Sequence, residues 1–133
     1  MKYAVLFFFA FSFLGLAAQD SSNTDSIISV VETMPEYPGG QEAMFTFLKD
    51  NVKYPKYEKK KKIEGTAYVR FIIEGNGQVG NVDIYPGTEE RATKAMREEA
   101  IRVVKLMPDW KPGTQQGKPV RVQYAIPIMF TFK

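Results

Sequence analysis

The chain has 133 residues, a formal net charge of +3, and neither Cys nor His. All of its Ser (Ser12, Ser21, Ser22, Ser26, Ser29) precede residue 30, so nucleophile–imidazole catalysis, thiol chemistry and His- or Cys-ligated metal sites are excluded. What remains for an enzyme is carboxylate, Lys or Tyr chemistry, on a chain long enough for one domain with a modest core.

The first 19 residues are set apart. Met1-Lys2 gives one positive charge, and residues 3–18 form an uncharged apolar run broken only by Ser12 and Gly15. A basic start, an apolar stretch and small residues at the exit describe a secretory signal, with Gly15-Leu16-Ala17 as a small-x-small cleavage site. The run is shorter than the roughly 20 residues that span a bilayer core. Export followed by cleavage is therefore expected, with membrane association only if the segment is uncleaved. With no Cys near the exit, a lipid anchor there is ruled out.

Charge is laid out in blocks: residues 20–50 carry a net −5, residues 53–62 a net +5, and residues 63–133 a net +2. The basic run reads as a solvated loop, with a steering patch for an acidic partner or an anionic membrane surface as the alternative. It lacks the Arg- and aromatic-rich character that would argue for nucleic acid.

Residues 20–26 form a polar leader, and Ile27-Ile28-Ser29-Val30-Val31 is a short β-branched run that suits a strand. Pro35-Glu36-Tyr37-Pro38-Gly39-Gly40 is a turn leading into a helix over 41–52, where Met44, Phe47, Leu48 and Val52 make one apolar face. Tyr54-Pro55 closes that helix. From Gly65 the period becomes two, with Ala67, Val69, Phe71 and Ile73 on one face. Gly75-Asn76-Gly77 turns the chain into a return strand over 78–85 that buries Val82 and Ile84, with Gly80 as a bulge position. Thr88 then reads as the N-cap of an amphipathic helix of about five turns, with Ala92, Met96, Ala100, Val103 and Met107 inward and Pro108 as its stop. Residues 109–119 read as a loop, with Trp110 packed over the end of that helix. The last stretch alternates longest: Val120, Val122, Tyr124, Ile126, Ile128, Phe130 and Phe132 face one way. On the other face Pro127 cannot donate to a ladder, so its side of the strand must be a sheet edge or a bulge, and such an edge is a docking candidate.

Nothing in the pattern supports catalysis. Glu89-Glu90 and Glu98-Glu99 are neighbours on a helix and diverge by about 100°, so neither makes a carboxylate dyad. Asp83 has no partner visible in the sequence. Gly75-Asn76-Gly77 precedes a strand rather than a helix and is too short to cradle phosphate.

Together the motifs resemble the C-terminal domain of TonB energy transducers. The resemblance runs in register from Met34-Pro35-Glu36-Tyr37-Pro38-Gly39-Gly40 through Asn51-Val52-Lys53-Tyr54-Pro55, Ile63-Glu64-Gly65-Thr66-Ala67, Gly75-Asn76-Gly77-Gln78-Val79 and Val82-Asp83-Ile84. It continues in Ala100-Ile101-Arg102-Val103-Val104, Met107-Pro108-Asp109-Trp110-Lys111-Pro112-Gly113 and Gly117-Lys118-Pro119-Val120. It implies an α+β domain over 34–133, a three-stranded antiparallel sheet with two helices packed on one face, preceded by a leader over 20–33 with an optional short strand. Its motif residues here are Pro38, Gly39, Gly40, Pro55, Gly65, Gly77, Trp110, Pro112 and Gly113.

The resemblance also implies a non-enzymatic role in the periplasm of a Gram-negative bacterium, without cofactor or metal. The partner is a periplasmic segment of an outer-membrane receptor, or another envelope protein, added as a strand beside the last strand. The residues carried over for partner binding are Asn51, Tyr54, Arg121, Val122, Gln123, Tyr124, Ala125, Ile126 and Pro127. Two alternatives use the same elements: a homodimer through the last strand, and a membrane-tethered transducer variant if the N-terminal segment stays uncleaved. One departure bears on function. Fifteen residues without a proline lie between the apolar segment and Pro35, reaching about 50 Å fully extended. With that segment cleaved no motor helix remains, so docking carries over from the resemblance and energy transduction does not.

Overall fold

The computed structural model describes residues 27–28 and 32–132. The expected signal segment at 1–19, the leader at 20–26 and the remainder of the 27–31 run lie outside them. The elements in chain order are β1 (Ile27–Ile28), α1 (Gln41–Asn51), α2 (Lys56–Lys61), β2 (Gly65–Ile73), β3 (Val79–Ile84), α3 (Lys94–Lys105), β4 (Gly113–Gln115) and β5 (Lys118–Phe130).

The period-two segments form the sheet. β2 pairs antiparallel with β3 on one side and with β5 on the other, giving the order β1-β5-β2-β3. The β2–β3 register slips between Arg70 and Ile72, where Phe71 faces the two residues Asn81 and Val82, and Asn81 takes the strain at φ 50°. The bulge thus sits one residue beyond Gly80. The apolar faces read from the sequence meet as expected. Val69, Phe71, Ile73, Ile126 and Ile128 have no exposed surface, nor do Met44 and Leu48 of α1 or Met96, Ala100, Val103 and Val104 of α3. Burying one such side chain stabilises by about 1.5–3 kcal/mol, which makes this shared layer the main source of stability.

The sheet carries more than three strands. The 113–119 stretch expected as loop is β4, which pairs antiparallel with residues 118–120 through a turn whose central Gln116 and Gly117 both have positive φ (54° and 75°). That backbone matches the strand twist and closes a hairpin that the Pro- and Gln-rich sequence does not advertise. β1 adds in parallel at Arg121 and Val122.

The long helix is shorter than its pattern. Ala92 is extended (φ −146°, ψ 155°), leaving a single 3-10 turn at Glu89–Arg91 before it. Thr93, not Thr88, is the N-cap, its hydroxyl accepting from the Met96 N–H at 3.2 Å. Thr88 instead donates to the Tyr85 carbonyl at 2.6 Å. The basic run at 53–62 is not a loop either. Residues 56–61 form α2, with Pro55 at its N-cap and Lys62 closing it in the left-handed region.

Trp110 lies in the same buried cluster as Val103 and Met107 at the end of the long helix. It packs edge-on against Tyr37, Phe71 and Tyr124 at 5.0–5.7 Å, and its backbone N–H donates to the Gly77 carbonyl at 2.7 Å. Gly77, at φ 90°, lies so close to the Trp110 carbonyl that a Cβ there would overlap it. The hairpin turn and the Trp110 motif therefore clasp each other. Gly113 is used similarly, since a Cβ would stand 2.9 Å from the Thr33 carbonyl. Of the other motif residues, Gly39 and Gly40 lead into α1 with positive φ, and Gly65 opens β2 against the Arg91 carbonyl.

Candidate functional site: the open edge of the last strand

The direction of β5's backbone groups follows from one hydrogen bond. Along an antiparallel strand, the N–H and C=O of a residue point to one side and those of the next residue to the other. The Tyr85 N–H donates to the Tyr68 carbonyl at 2.8 Å, so Tyr68 faces β3. Val69 and Phe71 consequently face β5, opposite Ile126 and Tyr124. In β5 the even-numbered residues thus bond β2. The odd-numbered Gln123, Ala125, Pro127 and Met129 turn their backbone to the opposite edge.

This resolves the proline. Pro127 lies opposite Tyr68 within the ladder, yet its nitrogen points away from β2, so its missing N–H costs the fold nothing. β1 occupies that edge only at Arg121 and Val122. Among the described residues no strand covers it from 123 to 129. The edge offers N–H donors at Ala125 and Met129 and a carbonyl at all four odd positions.

Side chains split across the strand. Val122, Tyr124 and Ile126 turn to the helices, where burial pushes the Tyr124 hydroxyl up to about 12. Arg121, Gln123, Ala125 and Pro127 turn to the face without helices. That face is finished by ion pairs: Arg121 Nε to Glu74 Oε1 at 2.7 Å, and Arg70 on Asp83 through two bonds of 2.8 and 3.2 Å. Asp83 therefore has a partner, set opposite it in the hairpin register. Beneath these pairs Ile72 and Ala125 are nearly fully buried. A shallow depression of about 460 Å³ lined by Arg70, Ile72, Asn81, Asp83 and Gln123 adjoins the edge.

Asn51 and Tyr54 do not join this row. Tyr54 is buried, donates to the Ile63 carbonyl at 2.5 Å, and packs against Phe130 and Phe132 with centroids 5.5 and 4.7 Å away. Burial, then Glu64 and Glu58, raise its pKa. The Asn51 amide donates to Phe47 of its own helix at 2.7 Å, and its carbonyl accepts from Arg102 at 3.0 Å. Asn51 belongs to a clamp joining the end of α1 to α3, and Tyr54 packs beside it on the end of β5. The centre of the clamp is Glu99, which accepts the Lys53 N–H at 2.7 Å and pairs with Arg102. Burial works to raise the Glu99 pKa, but the bonds from Arg102 and Lys53 prevail and hold it below the ordinary carboxylate value. Tyr54 marks the C-terminal end of β5, and Arg121 marks the other end.

Sequence reasoning missed Glu74; the short strand at Ile27–Ile28 was expected, but its parallel pairing with β5 was not. The Arg70–Asp83 pair was legible in principle, because the two residues are nearly symmetric about the Gly75-Asn76-Gly77 turn. Glu74 lies in the turn region and gives no such signal. Among the described residues no cluster of three or more Asp or Glu is arranged to hold a metal, and no helix is long and apolar enough to cross a membrane.

No curated protein and no solved structure matches the chain. The family model for the Gram-negative bacterial TonB protein C-terminal matches residues 50–132, from the end of α1 through β5. That span contains the three long strands, both ion pairs and the whole open edge. The chain therefore belongs to the TonB C-terminal family of periplasmic, non-enzymatic protein-interaction domains.

Proposed function

We propose that the protein docks an extended segment of a TonB-dependent outer-membrane receptor, or of another envelope protein, by adding it as a strand along residues 123–129. The observation that carries this reading is the edge of β5 that no strand among the described residues covers, with the Pro127 nitrogen turned toward it. An edge that pairs permanently within the fold would leave a partner carbonyl without a donor opposite Pro127. An edge kept for a transient partner tolerates the gap, and the proline also discourages indiscriminate edge-to-edge pairing. Main-chain bonds supply affinity, and the alternating neighbours Gln123 and Met129 on one side and Tyr124 on the other supply preference. β1 limits the length available: a segment reaching further along β5 must displace Ile27–Ile28.

The test is an amide NMR titration of the chain with N-terminal plug segments of outer-membrane receptors from the same cell. Strand addition predicts shifts concentrated at 123–129. A second copy using the same edge would move these amides with protein concentration alone. If neither perturbation appears at millimolar segment, docking at this edge is wrong.

A further inference from the structure

The basic run acquires a shape that its sequence does not disclose. α2 is short and projecting, and Lys53, Lys56, Lys59, Lys60, Lys61 and Lys62 are all exposed around it. None of the six takes part in an ion pair among the described residues. The single carboxylate of the segment, Glu58, is turned inward and only 7% exposed. Tyr57 is turned outward, 63% exposed, with the Lys61 ammonium 6.0 Å from its ring. The helix thus hides its acid and presents its cations together with one aromatic ring.

We propose that α2 is a docking surface for an anionic phospholipid bilayer. Lysine ammonium groups are flexible point charges without the rigid fork by which arginine grips one carboxylate or phosphate. Spread over a convex helix, they fit a diffuse negative plane better than a shaped acidic ligand. Tyr57 adds a side chain that is apolar along its ring and polar at its tip, suited to the headgroup boundary. Nucleic acid is a poorer match, because the segment holds no arginine and only one exposed ring. The surface also stands beside the docking edge: Tyr54, two residues before α2, packs on Phe130, the last residue of β5, and on Phe132 beyond it. Contact with a bilayer through α2 would hold that edge near the membrane without any spanning segment. This inference rests on α2 alone and stands or falls independently of strand addition.

The experiment is co-sedimentation of the chain, as recovered from the envelope of expressing cells, with phosphatidylcholine vesicles containing or lacking about one-third phosphatidylglycerol. An apolar N-terminal segment, if retained, binds both compositions alike, so the ratio between them reads charge alone. The expected result is a preference for the anionic vesicles that disappears as salt rises from about 0.05 to 0.5 M. The triple variant Lys59→Gln, Lys60→Gln, Lys61→Gln should lower the anionic partition roughly a hundredfold, about fivefold per lysine. Lys49→Gln, Lys105→Gln, Lys118→Gln, which removes equal charge elsewhere, should lower it by less than about tenfold. Both variants should keep the wild-type circular dichroism, since none of these side chains is buried. Equal losses in the two triples would overturn the proposal. So would binding indifferent to phosphatidylglycerol, or binding to polyglutamate with none to the vesicles; the last would assign α2 to an acidic protein.

Discussion

Replacing Ala125 by proline separates the two edges of β5 in one experiment. The Ala125 N–H points to the open edge, so losing it removes no bond to β2. Pro127, two residues on and in the same orientation, shows that the strand accepts a ring at such a position. The fold should therefore lose less than about 1 kcal/mol, a Tm decrease of under roughly 8 °C for a domain of this size. Docking should lose one main-chain bond, and the ring would block the approach of the partner's carbonyl. Together these cost about 1–2 kcal/mol, a five- to thirtyfold weaker Kd. Ile126→Pro is the counterpart. Ile126 has no exposed surface and its N–H faces Val69, so the ring breaks the ladder and leaves a buried carbonyl unpaired. That change should cost at least about 3 kcal/mol of stability, enough to lower the Tm by well over 10 °C. Thermal unfolding by circular dichroism and the segment titration read the two effects separately. If Ala125→Pro unfolded the protein as Ile126→Pro does, the assignment of odd residues to the open edge would be wrong.

Other consequences follow from the same geometry. Gly77→Ala forces an L side chain to φ 90° and into the Trp110 carbonyl, so it should destabilise by about 3 kcal/mol or more, whereas Gly87→Ala, at φ 88° in open space, should cost only about 1 kcal/mol; equal Tm losses would mean that the clasp between the hairpin turn and Trp110 is not tight. Because the Glu99 pKa is lowered by folding, its contribution is full above the unfolded carboxylate value and is lost as pH falls through the lower folded value. The Tm gap between wild type and Glu99→Gln should thus be widest near neutrality and close in acid, and a gap independent of pH would contradict the clamp. Ile28→Pro should loosen β1 and strengthen docking of segments long enough to reach Arg121, leaving short ones unchanged; an equal effect on both would remove β1 from competition for the edge.

The core was legible because period and burial agree. Val69, Phe71, Ile126 and Ile128 alternate without exception, and Met44, Leu48, Met96 and Val103 recur at helical spacing. What was not legible lay where local chemistry overrides pattern. Thr88 and Thr93 are equally good caps by residue type, and only the extended Ala92 decides between them. Residues 56–61 have no apolar periodicity, since α2 is anchored by Pro55 and a single inward Glu58. β4 is three residues of neutral composition whose pairing is specified by its turn. In the site, Pro127 announced the edge from sequence alone, because a missing donor is a property of the residue itself. Asn51 and Tyr54 were carried over by motif position; the structure puts Asn51 in the clamp and Tyr54 against the end of β5. The packing of Tyr54 on Phe130 and Phe132 brings together residues far apart in the chain, which no local pattern reports.

The most direct test of strand addition exploits the absence of cysteine from the chain. Gln123→Cys and Met129→Cys place single thiols near the two ends of the open edge, and Asp83→Cys places one on the far edge at β3. Each is mixed, under mild oxidation, with a receptor segment carrying one cysteine at successive positions. Paired strands bring opposed Cα atoms about 4.5–5.5 Å apart, within disulfide range. The account predicts trapping at alternate segment positions, with Gln123→Cys and Met129→Cys selecting opposite ends of the segment and so giving its direction. Trapping at every position alike, or equal trapping by Asp83→Cys, would contradict docking along β5.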